Sequence, residues 1–174
     1  MDNAYFKTAA SLRILLSTSV ALTILFGSVL LGILFLANEA GSKIGIFLLV
    51  IPLCILLCTI PFIVKGYSIG DNEIGIVRIG KTKIFPIVGI ESIEINQNAM
   101  AASLRLFGIS GFFCDIGFFM NHTLGKYHAY ATNSRMSVVL RYKNRIIVVT
   151  PDDPQKFYQT LISRRAVLMS KTES

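Results

Sequence analysis

Residues 14–37 read ILLSTSVALTILFGSVLLGILFLA, a run of 24 residues from Ile14 to Ala37 without a charge. At about 1.5 Å per residue a helix of that length covers roughly 36 Å, more than the ~30 Å hydrocarbon core of a bilayer. A second uncharged run, Ile44 to Val64, is bracketed by Lys43 and Lys65 and would reach roughly 31 Å as a helix. Asn38-Glu39-Ala40-Gly41-Ser42-Lys43 joins the two with turn chemistry, which predicts an antiparallel transmembrane hairpin with spans at about 14–37 and 44–64. A cleaved signal peptide is the rival reading, since Lys7 and Arg13 precede the first run, but the run exceeds an h-region of about 7–15 residues and lacks a small-x-small cleavage site. Lys7 and Arg13 before the first span, Lys43 in the link and Lys65, Arg78, Lys81 and Lys83 after the second place both termini in the cytoplasm.

Within the first span Ser17, Ala21, Ser28 and Gly32 put small side chains on one face, suited to close packing on the second helix or on a second copy of the chain. Neither span contains Asp, Glu, Lys, Arg or His, which argues against an ion or proton pathway. Pro52 and Pro61 are tolerated in such a helix.

The composition agrees with this frame. Across 174 residues, 53% hydrophobic against 16% charged excludes a disordered chain, and 3 cysteines are too few for a disulfide framework. The net charge of +7 would suit nucleic acid, an anionic membrane or a topology bias, and the apolar runs favour the latter two. No recognisable nucleic-acid motif interleaves the basic residues with aromatics, so no nucleic-acid partner is expected.

After Lys65 alternation replaces continuous apolarity. Tyr67–Ile69, Glu73–Ile79, Thr82–Ile87 and the run marked by Ile90, Ile93 and Ile95 read as strands. Leu104–Phe119, with Gly108, Gly111 and Gly117 among its apolar residues, reads as bent or bulged strand, and Tyr127–Thr132 as a further one. Met136–Tyr142 and Arg145–Thr150, separated by Lys143-Asn144, form the clearest hairpin. Thr150-Pro151-Asp152-Asp153 then reads as a helix start, with Thr150 as cap, Pro151 at the first helical position and the two aspartates favoured by the dipole. Phe157, Tyr158, Leu161 and Ile162 follow at helical spacing.

Arg105-Leu106-Phe107-Gly108 with Gly111, then Leu124-Gly125-Lys126-Tyr127, Tyr130-Ala131-Thr132 and Val148-Val149-Thr150-Pro151-Asp152-Asp153-Pro154 with Phe157, resemble the bacterial pleckstrin-homology (PH-like) domain family over roughly Gly66 to Ile162. The resemblance implies a strongly bent seven-stranded barrel capped by a C-terminal helix, often following a pair of membrane helices, and does not imply an enzymatic activity; the spans and flanking charges lead to the expectation of a multi-pass protein of the bacterial cytoplasmic (inner) membrane. The fold class expected is thus an α+β membrane protein: residues 1–65 a transmembrane hairpin, 66–166 the PH-like domain and 167–174 a polar tail.

Arg78, Lys81 and Lys83 cluster at one hairpin close to a span, and Arg141, Lys143 and Arg145 at another. Each cluster either attracts anionic lipid headgroups, at about 1 kcal/mol per cation, or is a solvated hairpin tip. Cys54 and Cys58 share a helix face but have no further ligands, and Cys114, His122 and His128 have no partners that sequence can identify, so neither metal nor cofactor is expected. Asn121-His122-Thr123 matches a glycosylation triplet, which a cytoplasmic location makes irrelevant. The expected function is a non-enzymatic membrane protein presenting a PH-like module to a protein partner, a second copy or lipid headgroups. The alternative is a regulatory or accessory subunit of a membrane transport or enzyme complex.

Overall fold

A computed structural model of the chain describes residues 4–37 and 42–172; most of the link between the apolar runs, Asn38 to Gly41, lies outside the described residues. The first apolar run is helix α1 (Leu12–Leu36) and the second α2 (Ser42–Thr59), followed by a 3-10 turn at Ile60–Phe62. Both are long and apolar enough to cross a membrane, and only 6% and 11% of their most apolar stretches are buried, so neither is the core helix of a soluble fold. They pack against each other where two glycines meet. A Cβ on Gly45 would lie 2.8 Å from the Gly32 carbonyl, so a side chain there would push the helices apart, and one on Gly32, 3.0 Å from the Gly45 carbonyl, would fit only if that backbone gave way. Of the expected small-residue stripe, Gly32 thus serves the helix pair. Ser17, near the other end, turns instead to donate to the Gly111 carbonyl.

Ten strands occur among the described residues, against the seven implied by the resemblance. They are β1 (Ala4–Lys7), β2 (Val64–Ile69), β3 (Glu73–Arg78), β4 (Lys83–Pro86), β5 (Ile90–Ile95), β6 (Leu104–Phe112), β7 (Cys114–Asn121), β8 (Gly125–Ala131), β9 (Val138–Tyr142) and β10 (Arg145–Val149). One sheet runs β1-β2-β3-β4 and the other β5-β9-β10-β8-β7-β6, with β8 and β10 parallel. The Gly/Phe stretch is two strands because Phe113 takes φ +61° and turns the chain back. Farther along that hairpin Gly108 and Gly117 face each other with φ +119° and +141°; a Cβ on either would come within 2.1 Å of the opposite backbone. Only glycine permits this bend.

Strand β1 is absent from the sequence reading, where residues ahead of the first span belong to the hairpin. Four residues are too short a pattern to register alone. In the structure Phe6 pairs with Tyr67 and Lys7 with Gly66, so the chain leaves the sheet at Lys7, passes through both apolar helices and returns beside its point of departure. Phe6 is buried with its ring centroid 5.2 Å from that of Phe157.

The two sheets enclose one core, with Tyr67, Ile74, Ile76 and Phe85 from the first against Ile116, Tyr130, Leu140 and Ile147 from the second. Helix α3 (Pro154–Thr172) closes one end of the gap, inserting Phe157 and Leu161. Its start lies beyond the expected one: Asp153 Oδ1 accepts from the Lys156 amide at 2.9 Å and Pro154 takes the first helical position. Thr150 is no cap, because it is buried and its Oγ1 accepts from the Thr132 and Asn133 amides. Helix α3 also runs on through residues read as a polar tail, and Leu168 packs against the core. A second apolar cluster, including Tyr127, Phe119 and Val148, lies on the outer face of the second sheet.

Candidate functional site

The first basic hairpin is fastened to the end of α2. The Gly80 amide donates to the Pro61 carbonyl and the Ile79 amide to the Ile63 carbonyl, both at 3.1 Å. The β3–β4 turn is therefore held where the apolar helix stops, and Lys81 stands exposed on it. Alternation along β3 and β4 then sorts the cations. Ile74 and Ile76 face the core, so Arg78 falls on the same face; Lys83 pairs with Ile76 and Phe85 with Ile74, so Lys83 also points between the sheets. Arg78 lies over the Phe62 ring, 5.9 Å from Cζ to the centroid, and its Nε donates to the Lys81 carbonyl.

The second basic hairpin divides similarly. Lys143 is exposed in its turn and Arg141 half-buried, whereas Arg145 pairs with the inward-facing Tyr142 and swings its guanidinium over aromatic rings. Lys83 Nζ lies 5.6 Å from the Phe85 centroid and Arg145 Cζ 5.0 Å from it. Two of the six expected cations, from different hairpins, therefore share one aromatic platform. Lys83 also lies over Tyr130 at 5.5 Å.

Beyond this platform the sheets part into an open cleft of about 860 Å³ between the first sheet, the β6–β7 hairpin and the end of α2. Arg78 and Lys83 line one side, Phe107, Ile109 and Phe118 the other, and Arg105 and His128 also border it. Sequence reasoning missed Arg105 as a member of this group, because nothing in a lone arginine on a bent strand says which cations it will face. His128, for which the sequence identifies no partner, also has its environment set by this cleft. Its ring stacks on Phe118 with centroids 3.6 Å apart, and its Nδ1 is buried without a hydrogen-bond partner. Burial first, then the Lys83 and Arg145 charges, hold its pKa below the usual imidazole value of 6.5. His122 remains apart in the exposed β7–β8 turn.

The β6–β7 turn is in turn clamped to the start of α1. Arg13 forms an ion pair with Asp115, whose side chain is 1% exposed and also accepts from Ser110 Oγ and the Gly111 amide. Thr18 Oγ1 accepts from the Phe113 amide at 2.8 Å, stabilising that residue's left-handed backbone.

Cys54 and Cys58 are exposed on α2, with Cys58 bordering the cleft, and burial pushes the Cys114 thiol up to about 11, which keeps it protonated at neutral pH. Among the described residues no group of three His, Cys, Asp or Glu side chains gathers that could hold a metal ion.

The family model for the bacterial PH domain matches residues 65–165, well over half of the chain. No curated protein and no solved structure matches it.

Proposed function

Because this chain belongs to the bacterial PH domain family, we propose that it is a membrane-anchored, non-enzymatic binding module whose β3–β4 hairpin meets anionic lipid headgroups. Both apolar helices cross the bilayer in this reading. The pairing of β1 with β2 supports it, since strands on either side of the helical hairpin can share a sheet only if both lie on one side of the membrane. The lysines and arginines flanking the helices favour the cytoplasmic face.

One observation carries the lipid reading: the Gly80–Pro61 and Ile79–Ile63 hydrogen bonds hold the basic turn at the end of α2. A turn so fastened brings Arg78, Lys81 and Lys83 to headgroup depth, where each cation gains about 1 kcal/mol from an anionic surface.

The test is hydrogen exchange on the full chain in nanodiscs of phosphatidylcholine with and without phosphatidylglycerol. Anionic lipid should slow exchange at residues 79–83, an effect that salt and a Lys81→Glu, Lys83→Glu variant both remove. Equal exchange in the two lipids would refute headgroup binding and leave a module for protein partners.

A further inference from the structure

The cleft has two unlike walls and a membrane-side closure. Arg78 and Lys83 make one wall cationic, and Arg105 adds a third permanent charge. Phe107, Ile109 and Phe118 make the other apolar, and there Phe107 is 77% and Phe118 45% exposed. Ile55, Cys58 and Thr59 on one face of α2, with Phe62 in the 3-10 turn that follows it, close the membrane side. We propose that this cleft takes in one anionic glycerophospholipid, its phosphate held by Arg78, Lys83 and Arg105 and its acyl chains laid along Phe107 and the Ile55–Cys58 face of α2. This rests on the membrane-anchored reading above and goes beyond it, from a surface that senses charge to a cavity that holds one lipid molecule.

Four features support it. No residue lining the cleft carries a carboxylate, so Arg78, Lys83 and Arg105 border it with no counter-charge in the lining itself, and an anion would supply one. His128 borders the same space, and its Nδ1, buried and unpartnered, would gain a phosphate oxygen as acceptor if the ring turned toward the cleft. The volume falls within the range of about 300–1,000 Å³ usual for sites that enclose a small ligand. The apolar wall distinguishes the ligand's source: a free phosphate would satisfy the cations and leave Phe107 and Phe118 in water, and a choline lipid would bring its own cation toward Lys83. An anionic lipid answers both walls.

The chain contains no tryptophan, so a Phe107→Trp variant carries a single tryptophan, in the cleft, whose emission is read with excitation at wavelengths tyrosine does not absorb. The full-length variant in neutral detergent would be titrated with phosphatidylglycerol and phosphatidylcholine, each brominated on its acyl chains, and with inorganic phosphate as competitor. Phosphatidylglycerol should quench the tryptophan and saturate at one lipid per chain. Combining Arg78→Gln with Lys83→Gln should weaken that binding at least about tenfold, whereas Lys156→Gln, on the exposed face of α3, should not. As a check that needs no substitution, wild-type protein exchanged through detergent should retain one lipid phosphorus per chain.

Equal quenching by the two lipids, quenching that never saturates, or displacement by inorganic phosphate at concentrations matching the lipid would overturn the proposal. Slowed exchange at residues 79–83 in anionic nanodiscs, without saturable quenching, would remove the lipid from the cleft and leave the surface reading intact. Loss of both effects would remove both.

Discussion

Lys83 and Arg145, from two hairpins far apart in sequence, hold their cations over the same ring, that of Phe85, at 5.6 and 5.0 Å. Like charges converge there because the aromatic face attracts each of them and their side chains stay open to solvent. His128 feels both charges.

That relationship makes the histidine a reporter. Burial and the two cations lower its pKa, so an unfolded chain takes up a proton as pH falls through about 6.5 while the folded chain does not. The stability contribution is whole above pH 6.5 and is lost progressively as the pH falls from that value toward the lower pKa of the folded state. Urea midpoints measured across this window should fall with pH for the wild type, and His128→Gln should flatten the slope. In a nuclear magnetic resonance titration, Lys83→Gln should move the His128 pKa upward but not fully to 6.5, since burial is the larger cause.

Tyr67 is buried completely, with its hydroxyl donating to the Tyr130 carbonyl at 2.6 Å and accepting from the Thr150 amide at 3.0 Å. Burial pushes its phenol up to about 12. Tyr67→Phe leaves both backbone groups without that partner and should cost about 1–3 kcal/mol in urea unfolding followed by circular dichroism.

The Arg13–Asp115 pair joins the first helix to the β6–β7 turn. Removing either side chain leaves the other without its charge partner, and the buried carboxylate is the more sensitive. A double-mutant cycle with Arg13→Gln and Asp115→Asn should give a coupling of about 1–3 kcal/mol. Additive losses would mean that the clamp rests on Thr18 and Ser17 instead.

A chain beginning at Gly66 lacks β1 and with it Phe6. Removing that ring alone, as Phe6→Ala, should cost about 3–5 kcal/mol, so the fragment should show a broad, weakly cooperative transition. Because Lys7 pairs with Gly66, the remedy is local. Replacing both apolar helices by a turn of about four residues between β1 and β2 should yield a soluble domain with a sharp melt. An equally broad melt in that variant would show that the helices themselves support the fold.

Sequence alone determined the elements whose signal is periodic and local. Uncharged runs the length of a bilayer specified two helices, period-two alternation specified most of the strands, and Lys143-Asn144 located the hairpin between β9 and β10. Local pattern misplaced the start of α3, since Thr-Pro-Asp-Asp-Pro offers two caps in succession and burial of Thr150 against Tyr67 selects the second. Only the tertiary structure decided that residues 4–7 complete the first sheet, because a strand so short is stabilised by its partner and not by its own sequence. It likewise decided that Arg78, Lys83 and Arg105 border one cleft while Lys81 and Lys143 remain on turns. A basic residue's position in the chain gives its charge; the side of the strand it occupies, and what the opposite sheet places across the gap, determine what that charge can hold.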